Sequence, residues 1–363
     1  MTDLRADDLR TLARQQIPAE VWDFIEGGSG DELTVAANTA AFAAARLRPR
    51  VMVDVSAVDT GVTLLDARLD TPVGLAPTAY HQLVHPDGEV ATAAGAAKEN
   101  ALFVVAMFAS RTLEDIAAPA AGPLWLQLYW LRDRDAIARL ARRAAAAGFA
   151  ALVLAVDAPR LGRRLRDIRN RFAVDGRVRA VNLDASLMAA SHDRQAGASA
   201  LAAHAAQTFD ASLTWADLAW LRERSPLPVV LKGILTAEDA AAAVAHGAAA
   251  VIVSNHGGRQ LDGAVATLDA LPEVVEAVDG ACPVLVDGGV RSGRDALIAL
   301  ALGADAVLLG RPTLWALATG GSDGVADLLR HVTDDLAHDM ALAGRPSLRD
   351  VDRRLIRAVT NAR

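Results

Sequence analysis

Residues 283–312 read PVLVDGGVRSGRDALIALALGADAVLLGRP, and they carry one complete structural unit. Pro283–Asp287 is a short apolar run that ends on a carboxylate, followed by the glycine turn Gly288-Gly289. Ser292 stands where a helix N-cap belongs, ahead of the helical stretch Ser292–Leu302, and Gly303 supplies a C-cap. A second apolar run, Ala306–Gly310, then begins. β-Branched and Leu residues without alternation predict strands buried on both faces, which means a parallel sheet.

Working outward, the same unit recurs. Apolar runs at Val73–Pro77, Leu102–Met107, Trp125–Tyr129, Ala151–Val156, Pro228–Lys232 and Ala249–Ser254 complete a set of eight. Helical stretches at Glu89–Glu99, Asp133–Ala147 and Thr236–His246 lie between them, the last capped by Thr236 and closed by Gly247. Eight strand–helix units predict an α/β fold of the (β/α)8 TIM-barrel type. A doubly wound sheet is the alternative, but no early GxGxxG supports it. The spacing breaks once, after the fourth strand, where residues 158–213 read as a lid insertion without a long apolar run. Residues 1–70, with helical stretches at Leu4–Gln15 and Ala19–Glu26, are expected to form an N-terminal helical extension packed on a barrel of residues 71–363.

Composition limits the function classes. A chain of 363 residues with 52% hydrophobic and 22% charged residues folds, and 4% aromatics leave Ala, Val and Leu to build the core. A net charge of −7 argues against nucleic acid or an anionic membrane as partner. The single Cys282 permits no internal disulfide and no Cys-rich metal site, as in a reducing cytoplasm. Met1–Asp8 is acidic where a secretory signal needs an apolar stretch. The longest apolar runs, Ala101–Ala109 and Phe149–Val156, fall short of the roughly 20 residues that cross a bilayer. A soluble, cytoplasmic protein without a bound metal is expected.

In a barrel, chemistry collects where the C-terminal strand ends converge. Those ends are Pro77-Thr78-Ala79, Gln127 and Tyr129, Asp157, Lys232, Ser254-Asn255-His256, Asp287 and Gly310-Arg311. Ser254–Gly263, SNHGGRQLDG, places an imidazole and a guanidinium three residues apart in a glycine-bearing loop. His256 can serve as a base there, and Arg259 offers a planar fork for a carboxylate. The competing reading is a polar loop with structural hydrogen bonds. Of the eight histidines only His256 has such a setting, while His81, His85, His192, His204, His246, His331 and His338 read as loop or surface residues. The loops at Asp287–Gly293 and Gly310–Pro312, in register after strands seven and eight, are expected to form a phosphate site to which Arg291 and Arg311 add charge, the competing reading being tight βα turns that need glycine. Arg160–Arg171 holds six arginines; most are expected to be solvated or paired with Asp167, with one or two reaching the site.

Together these motifs resemble the FMN-dependent 2-hydroxy acid oxidases and dehydrogenases. The resemblance runs from Val21-Trp-Asp-Phe24 to Met340-Ala-Leu-Ala-Gly344 and rests on Ser254–Asp262, Ala76-Pro-Thr-Ala79, Gln127-Leu-Tyr129, Asp157–Arg164 and Leu231-Lys-Gly233. Phe24, Ser29-Gly30 and Tyr80 are most similar to the p-hydroxymandelate oxidase branch. It implies that His256 takes a proton, Asp157 steadies its imidazolium, Arg164 and Arg259 clamp the substrate carboxylate, and Tyr129 touches the hydroxyl. It also implies bound FMN: Lys232 and Gln127 at the flavin ring with Pro77, Thr78, Ala79 and Ser254, and Asp287, Gly288, Gly289, Arg291, Gly310 and Arg311 around the phosphate. Phe24, Tyr80 and Phe108 are expected to face the substrate side chain, which favours an aryl group.

The implied reaction is oxidation of an (S)-2-hydroxy acid to the 2-oxo acid, with O2 as acceptor and H2O2 as product, in a homo-oligomer, by analogy a tetramer. Rival readings are a dehydrogenase with another acceptor, an FMN-barrel isomerase and a non-catalytic flavin binder. The chain departs from the family at Phe24, where a tyrosine is common, and at Ala106 and Ala155, where hydroxyl residues are expected.

Overall fold

The computed structural model describes residues 5–120, 122–184, 192 and 199–357. A two-stranded hairpin, β1 (Val62–Leu64) and β2 (Ala67–Leu69), precedes eight parallel strands that close into a barrel. The barrel strands are β3 (Val73–Leu75), β4 (Phe103–Ala106), β5 (Leu124–Leu128), β6 (Ala151–Ala155), β7 (Val229–Ile234), β8 (Ala250–Val253), β9 (Val284–Asp287) and β10 (Ala306–Leu309). Each pairs with the next, and β10 closes on β3 through Val307↔Val73 and Leu309↔Leu75. The expected (β/α)8 barrel is therefore the observed fold, and every strand falls within one residue or two of its apolar run.

Burial explains the pattern. All residues of β3, β4, β5, β6, β8, β9 and β10 are buried, because side chains point alternately into the barrel and out against the helices. Val104, Trp125, Val153, Val230, Ile252, Leu285 and Leu308 belong to the cluster inside the barrel. The helix caps behave as their residue types dictate. Thr236 accepts from the Asp239 amide and Ser292 from the Asp295 amide, each satisfying an amide that the helix itself cannot.

Three helices lead into the barrel: Ala6–Gln16, Ala19–Glu26 and Leu33–Ala44. The third was not legible in the sequence. The first packs on the long final helix Arg311–Leu342, which kinks at Gly321, and the second packs on Leu165–Asn170 of the insertion. The insertion after β6 also holds the helices Ala200–Thr208 and Trp215–Arg224. Most of its weakly patterned stretch, residues 185–191 and 193–198, lies outside the described residues. Among the described residues, no helix is long and apolar enough to cross a membrane.

Candidate active site

The C-terminal strand ends open into one pocket, and most of the expected residues line it. Pro77, Thr78, Ala79 and Tyr80 come from the loop after β3, Phe108 from the loop after β4, and Gln127 and Tyr129 from the end of β5. Arg164 comes from the insertion, Lys232 from β7, and His256 and Arg259 from the loop after β8. Asp287, Gly288, Gly289, Arg291, Gly310 and Arg311 follow from the last two strand ends, and Phe24 comes from the second N-terminal helix. Two expected residues stand behind this wall instead, Asp157 and Ser254.

His256 is the centre of the arrangement. Its Nδ1 lies 3.1 and 3.2 Å from the two Asp157 carboxylate oxygens, and its Nε2 lies 3.1 Å from the Tyr129 hydroxyl. His256 has a left-handed backbone, φ 59°, which a non-glycine residue adopts only when its surroundings enforce it. They do so here. Its amide donates to Ser254 Oγ, and the neighbouring Asn255 exchanges two amide hydrogen bonds, 2.9 and 2.7 Å, with Asn38 of the third helix.

Burial pulls the His256 pKa down; Asp157 opposes this and Lys232 adds to it, with a net value below the ordinary one. Burial alone would raise the Asp157 pKa, but its interactions with His256 and Lys232 outweigh that and keep it low. Burial raises the pKa of Tyr129.

Ser254, fully buried, ties the floor together. It accepts from Lys232 Nζ at 2.7 Å and donates to Asp287 Oδ1 at 2.6 Å, while Lys232 and Asp287 also pair directly at 3.1 Å. Burial works against the Lys232 ammonium, yet Asp287 and Asp157 together raise its pKa. A buried ion pair of this kind survives because each charge is bonded within it.

The arginines are oriented by backbone carbonyls. Arg259 Nη1 donates to the Phe24 and Gly27 carbonyls, 2.7 Å each, and Arg311 donates to those of Ile25, Gly257 and Gly27. These carbonyls are mostly the free C-terminal end of the helix Ala19–Glu26, where the helix dipole favours cations. Burial lowers the pKa of Arg164, Arg259, Arg291 and Arg311, and like-charged neighbours add to it for Arg259 and Arg291, the latter reaching about 10. Within the Arg-rich stretch, Arg164 turns inward and is buried, whereas Arg166 pairs with Glu32 at 2.5 Å and with Asp23 at 3.5 Å rather than with Asp167.

Aromatic rings form one wall. Phe108 stacks against Tyr129 and Phe209, with ring centres 5.5 and 6.2 Å apart, and lies 6.1 Å from Tyr80. Phe24 lines the pocket too, but it also stacks on Phe172 at 4.5 Å and carries the Arg259 guanidinium over its face.

Two histidines correct the sequence reading. His81 is fully buried beside the pocket, 2.6 Å from Thr78 Oγ1 and 2.9 Å from Thr92 Oγ1. His204, on the helix Ala200–Thr208, is 2% exposed and lines the pocket with Leu201, Ala205 and Phe209. The sequence signal for His204 was weak, because its stretch has alanine on nearly every side and no apolar stripe to orient it.

The chain is similar to known proteins along nearly its whole length. The model of the FMN-dependent dehydrogenase family matches residues 13–358. The chain is 47% identical to the 4-hydroxymandelate oxidase of Amycolatopsis orientalis, over 96% of each chain. It is 45% identical to an L-lactate oxidase of Nostoc, covering 94% of each, and 43% identical to glycolate oxidase 1 of Zea mays, covering 96% of this chain and 94% of that one. A crystal structure of mandelate oxidase with (S)-4-hydroxymandelic acid superposes with a TM-score of 0.94 at 46% identity, covering 98% of each chain.

The pocket fits the cofactor of that family. Gln127 Nε2 is buried with no partner among the described residues, as expected of a donor aimed at a ligand. A Cβ built on Gly310 would meet nothing nearer than Ala76 at 4.0 Å, so Gly310 presents bare backbone to the pocket that Arg291 and Arg311 also line. The chain belongs to the FMN-dependent dehydrogenase family, and it is an FMN-dependent enzyme of 2-hydroxy acid oxidation.

Proposed function

We propose that the protein oxidises an aromatic, mandelate-type (S)-2-hydroxy acid to the 2-oxo acid, with O2 as the final electron acceptor and H2O2 as the second product. The carrying observation is the meeting, in one pocket, of a carboxylate-held imidazole, two inward guanidiniums and an aromatic wall. FMN, when bound, would accept the electron pair together with the Cα hydrogen, while the hydroxyl proton goes to this chain's own base.

Arg164 and Arg259 take the substrate carboxylate, whose charge relieves two buried cations that burial disfavours. His256, neutral at pH 7, removes the hydroxyl proton at Nε2, and Asp157 at Nδ1 holds that tautomer and stabilises the cation formed. Tyr129 keeps its proton and donates to the substrate hydroxyl oxygen. Lys232, with Gln127, Pro77, Thr78 and Ala79, forms the floor for the flavin ring, and Ser254 acts through Lys232 and Asp287. Gly288, Gly289, Gly310, Arg291 and Arg311 receive the phosphate, next to the N-termini of the helices Gly293–Ala301 and Arg311–Leu342. Phe24, Tyr80 and Phe108 face the aryl group.

We read residues 1–70 as an extension of one unit completed by residues 71–363, with 158–213 as its lid, and the protein as a cytoplasmic homotetramer. The packing of the first helix on the last supports the single unit, and the lone half-buried Cys282 suits a reducing compartment.

An anaerobic flavin-reduction series with mandelate, 4-hydroxymandelate, lactate and glycolate tests the substrate class. Burial of a phenyl ring predicts kcat/KM about 10- to 150-fold higher for the aryl acids. Equal or better values with glycolate overturn the aromatic pocket. Readmitting O2 should then release one equivalent of peroxide; none overturns O2 as acceptor.

A further inference from the structure

We propose that His81 is a positioning residue that makes the Thr78 hydroxyl a hydrogen-bond acceptor toward the flavin and thereby raises the flavin's reduction potential. The inference rests on the reading above that Thr78 faces the flavin ring.

His81 sits in a buried polar network just behind the pocket wall. The chain turns back at Tyr80, whose backbone is left-handed at φ 59°, and this brings the side chains of Thr78 and His81 together. The His81 amide donates to Glu89 Oε1 at 2.9 Å, and the same carboxylate receives the Ser110 amide and hydroxyl at 2.9 and 2.7 Å. His81 Nε2 lies 2.6 Å from Thr78 Oγ1, and Nδ1 lies 2.9 Å from Thr92 Oγ1 on the helix Glu89–Lys98. His81, Glu89 and Thr92 are all fully buried, so the two ring bonds are sheltered from water.

The hydrogen bonds assign the protons. Burial outweighs Glu89 and lowers the His81 pKa below its ordinary value, so the ring is neutral at pH 7 and carries one N–H. Thr92 Oγ1 donates to the Gly88 carbonyl one helical turn back, at 3.5 Å, and with that proton engaged it accepts from His81. The N–H is therefore on Nδ1, and Nε2 accepts from Thr78. The two lengths agree, since 2.9 Å is ordinary for N–H donation to oxygen and 2.6 Å belongs to a hydroxyl donor. With its one proton held by His81, Thr78 Oγ1 has only lone pairs to offer the pocket.

That orientation distinguishes the two states of a flavin. The oxidised ring has a lone pair at N5, and two-electron reduction places an N–H there. An acceptor at that edge bonds the reduced ring and repels the oxidised one, which favours reduction. The Thr78 loop reaches that edge: the Tyr80 amide donates to the Phe108 carbonyl at 3.2 Å, and Phe108 stacks on Tyr129, the neighbour of His256. Without His81 the Thr78 hydroxyl is free to turn and donate to the oxidised ring, which reverses the bias.

The test measures the FMN midpoint potential, the FMN Kd and Tm in wild type, His81→Leu, His81→Gln, Thr92→Val, Thr78→Val and the double variant His81→Leu/Thr78→Val. His81→Leu should shift the equilibrium about tenfold toward oxidised flavin, a fall of about 30 mV for a two-electron couple. Thr92→Val, which releases the opposite tautomer without touching the ring, should lower the potential too and carries the test if the leucine variant does not fold. His81→Gln, whose amide oxygen can take the Thr78 proton, should stay within about 3-fold of wild type. In the Thr78→Val background His81→Leu should add no further shift. An unchanged potential in either folded variant, with only Tm reduced, would make His81 a packing residue and overturn the proposal. So would a His81→Leu shift that persists undiminished without the Thr78 hydroxyl. If Thr78→Val leaves both potential and FMN Kd at wild-type values, Thr78 does not face the flavin, and the reading beneath the proposal fails with it.

Discussion

At the scale of single residues, the protein keeps a histidine neutral beside a carboxylate that would ordinarily charge it. Burial is the largest influence on His256 and acts against the cation, and Lys232 and Arg164 add to it. Asp157 pulls the other way without prevailing. The expected consequence is an acid limb in the pH profile of flavin reduction. The base works only when neutral, so kcat/KM should fall as pH drops through a value below 6.5. Stopped-flow reduction across pH 5–9 reads this directly, and His256→Ala should lower the rate about 10²–10⁴-fold with FMN retained. A limb well above neutrality, or a near-normal rate in the variant, would show that His256 does not act as the base.

At the scale of elements, the site is assembled by parts that sequence order keeps far apart. The carbonyl end of the helix Ala19–Glu26 orients Arg259 and Arg311, and Glu26 in turn accepts from Trp315 Nε1 at 2.9 Å and pairs with Arg10 at 2.8 Å. The third helix presses on the glycine loop after β9. Gly289 has φ 103°, and a Cβ there would stand 2.4 Å from the Asn38 carbonyl oxygen. Gly289→Ala should therefore cost roughly 3 kcal/mol or more and weaken FMN binding, since strain and a backbone clash add. Gly280→Ala, also at positive φ but with nothing within 4 Å, should cost only about 1 kcal/mol. Thermal unfolding and FMN titration of both variants check the difference; equal losses would mean that contact with Asn38 is not what requires glycine.

At the scale of the molecule, a chain with net charge −7 gathers Arg164, Arg259, Arg291, Arg311 and Lys232 around one cavity. Burial disfavours the charge on all four arginines, so the protein without ligand carries an electrostatic cost that a phosphate or carboxylate relieves. FMN should raise Tm, with stabilisation of about 2.7 kcal/mol at 100 times its Kd, and inorganic phosphate should give a smaller rise. Calorimetry of the deflavinated protein tests this, and an FMN-independent Tm would mean that the folded protein does not bind FMN in preference to the unfolded chain.

The barrel was legible because a strand buried on both faces must be apolar throughout, and eight such runs separated by capped helices admit few folds. The strand-end residues were legible for the same reason: position after a buried run dictates which side of the barrel they reach. Phe24, Arg164 and Arg259 could be named from motifs, but only the tertiary structure brings a helix C-terminus beneath two of the arginines. The third helix, Leu33–Ala44, escaped notice because its alanines define no face, although its Asn38 holds the His256 loop. His204 escaped for a related reason. A histidine among alanines looks like surface in one dimension, and its burial depends on where the insertion folds back over the strand ends, which local periodicity does not encode.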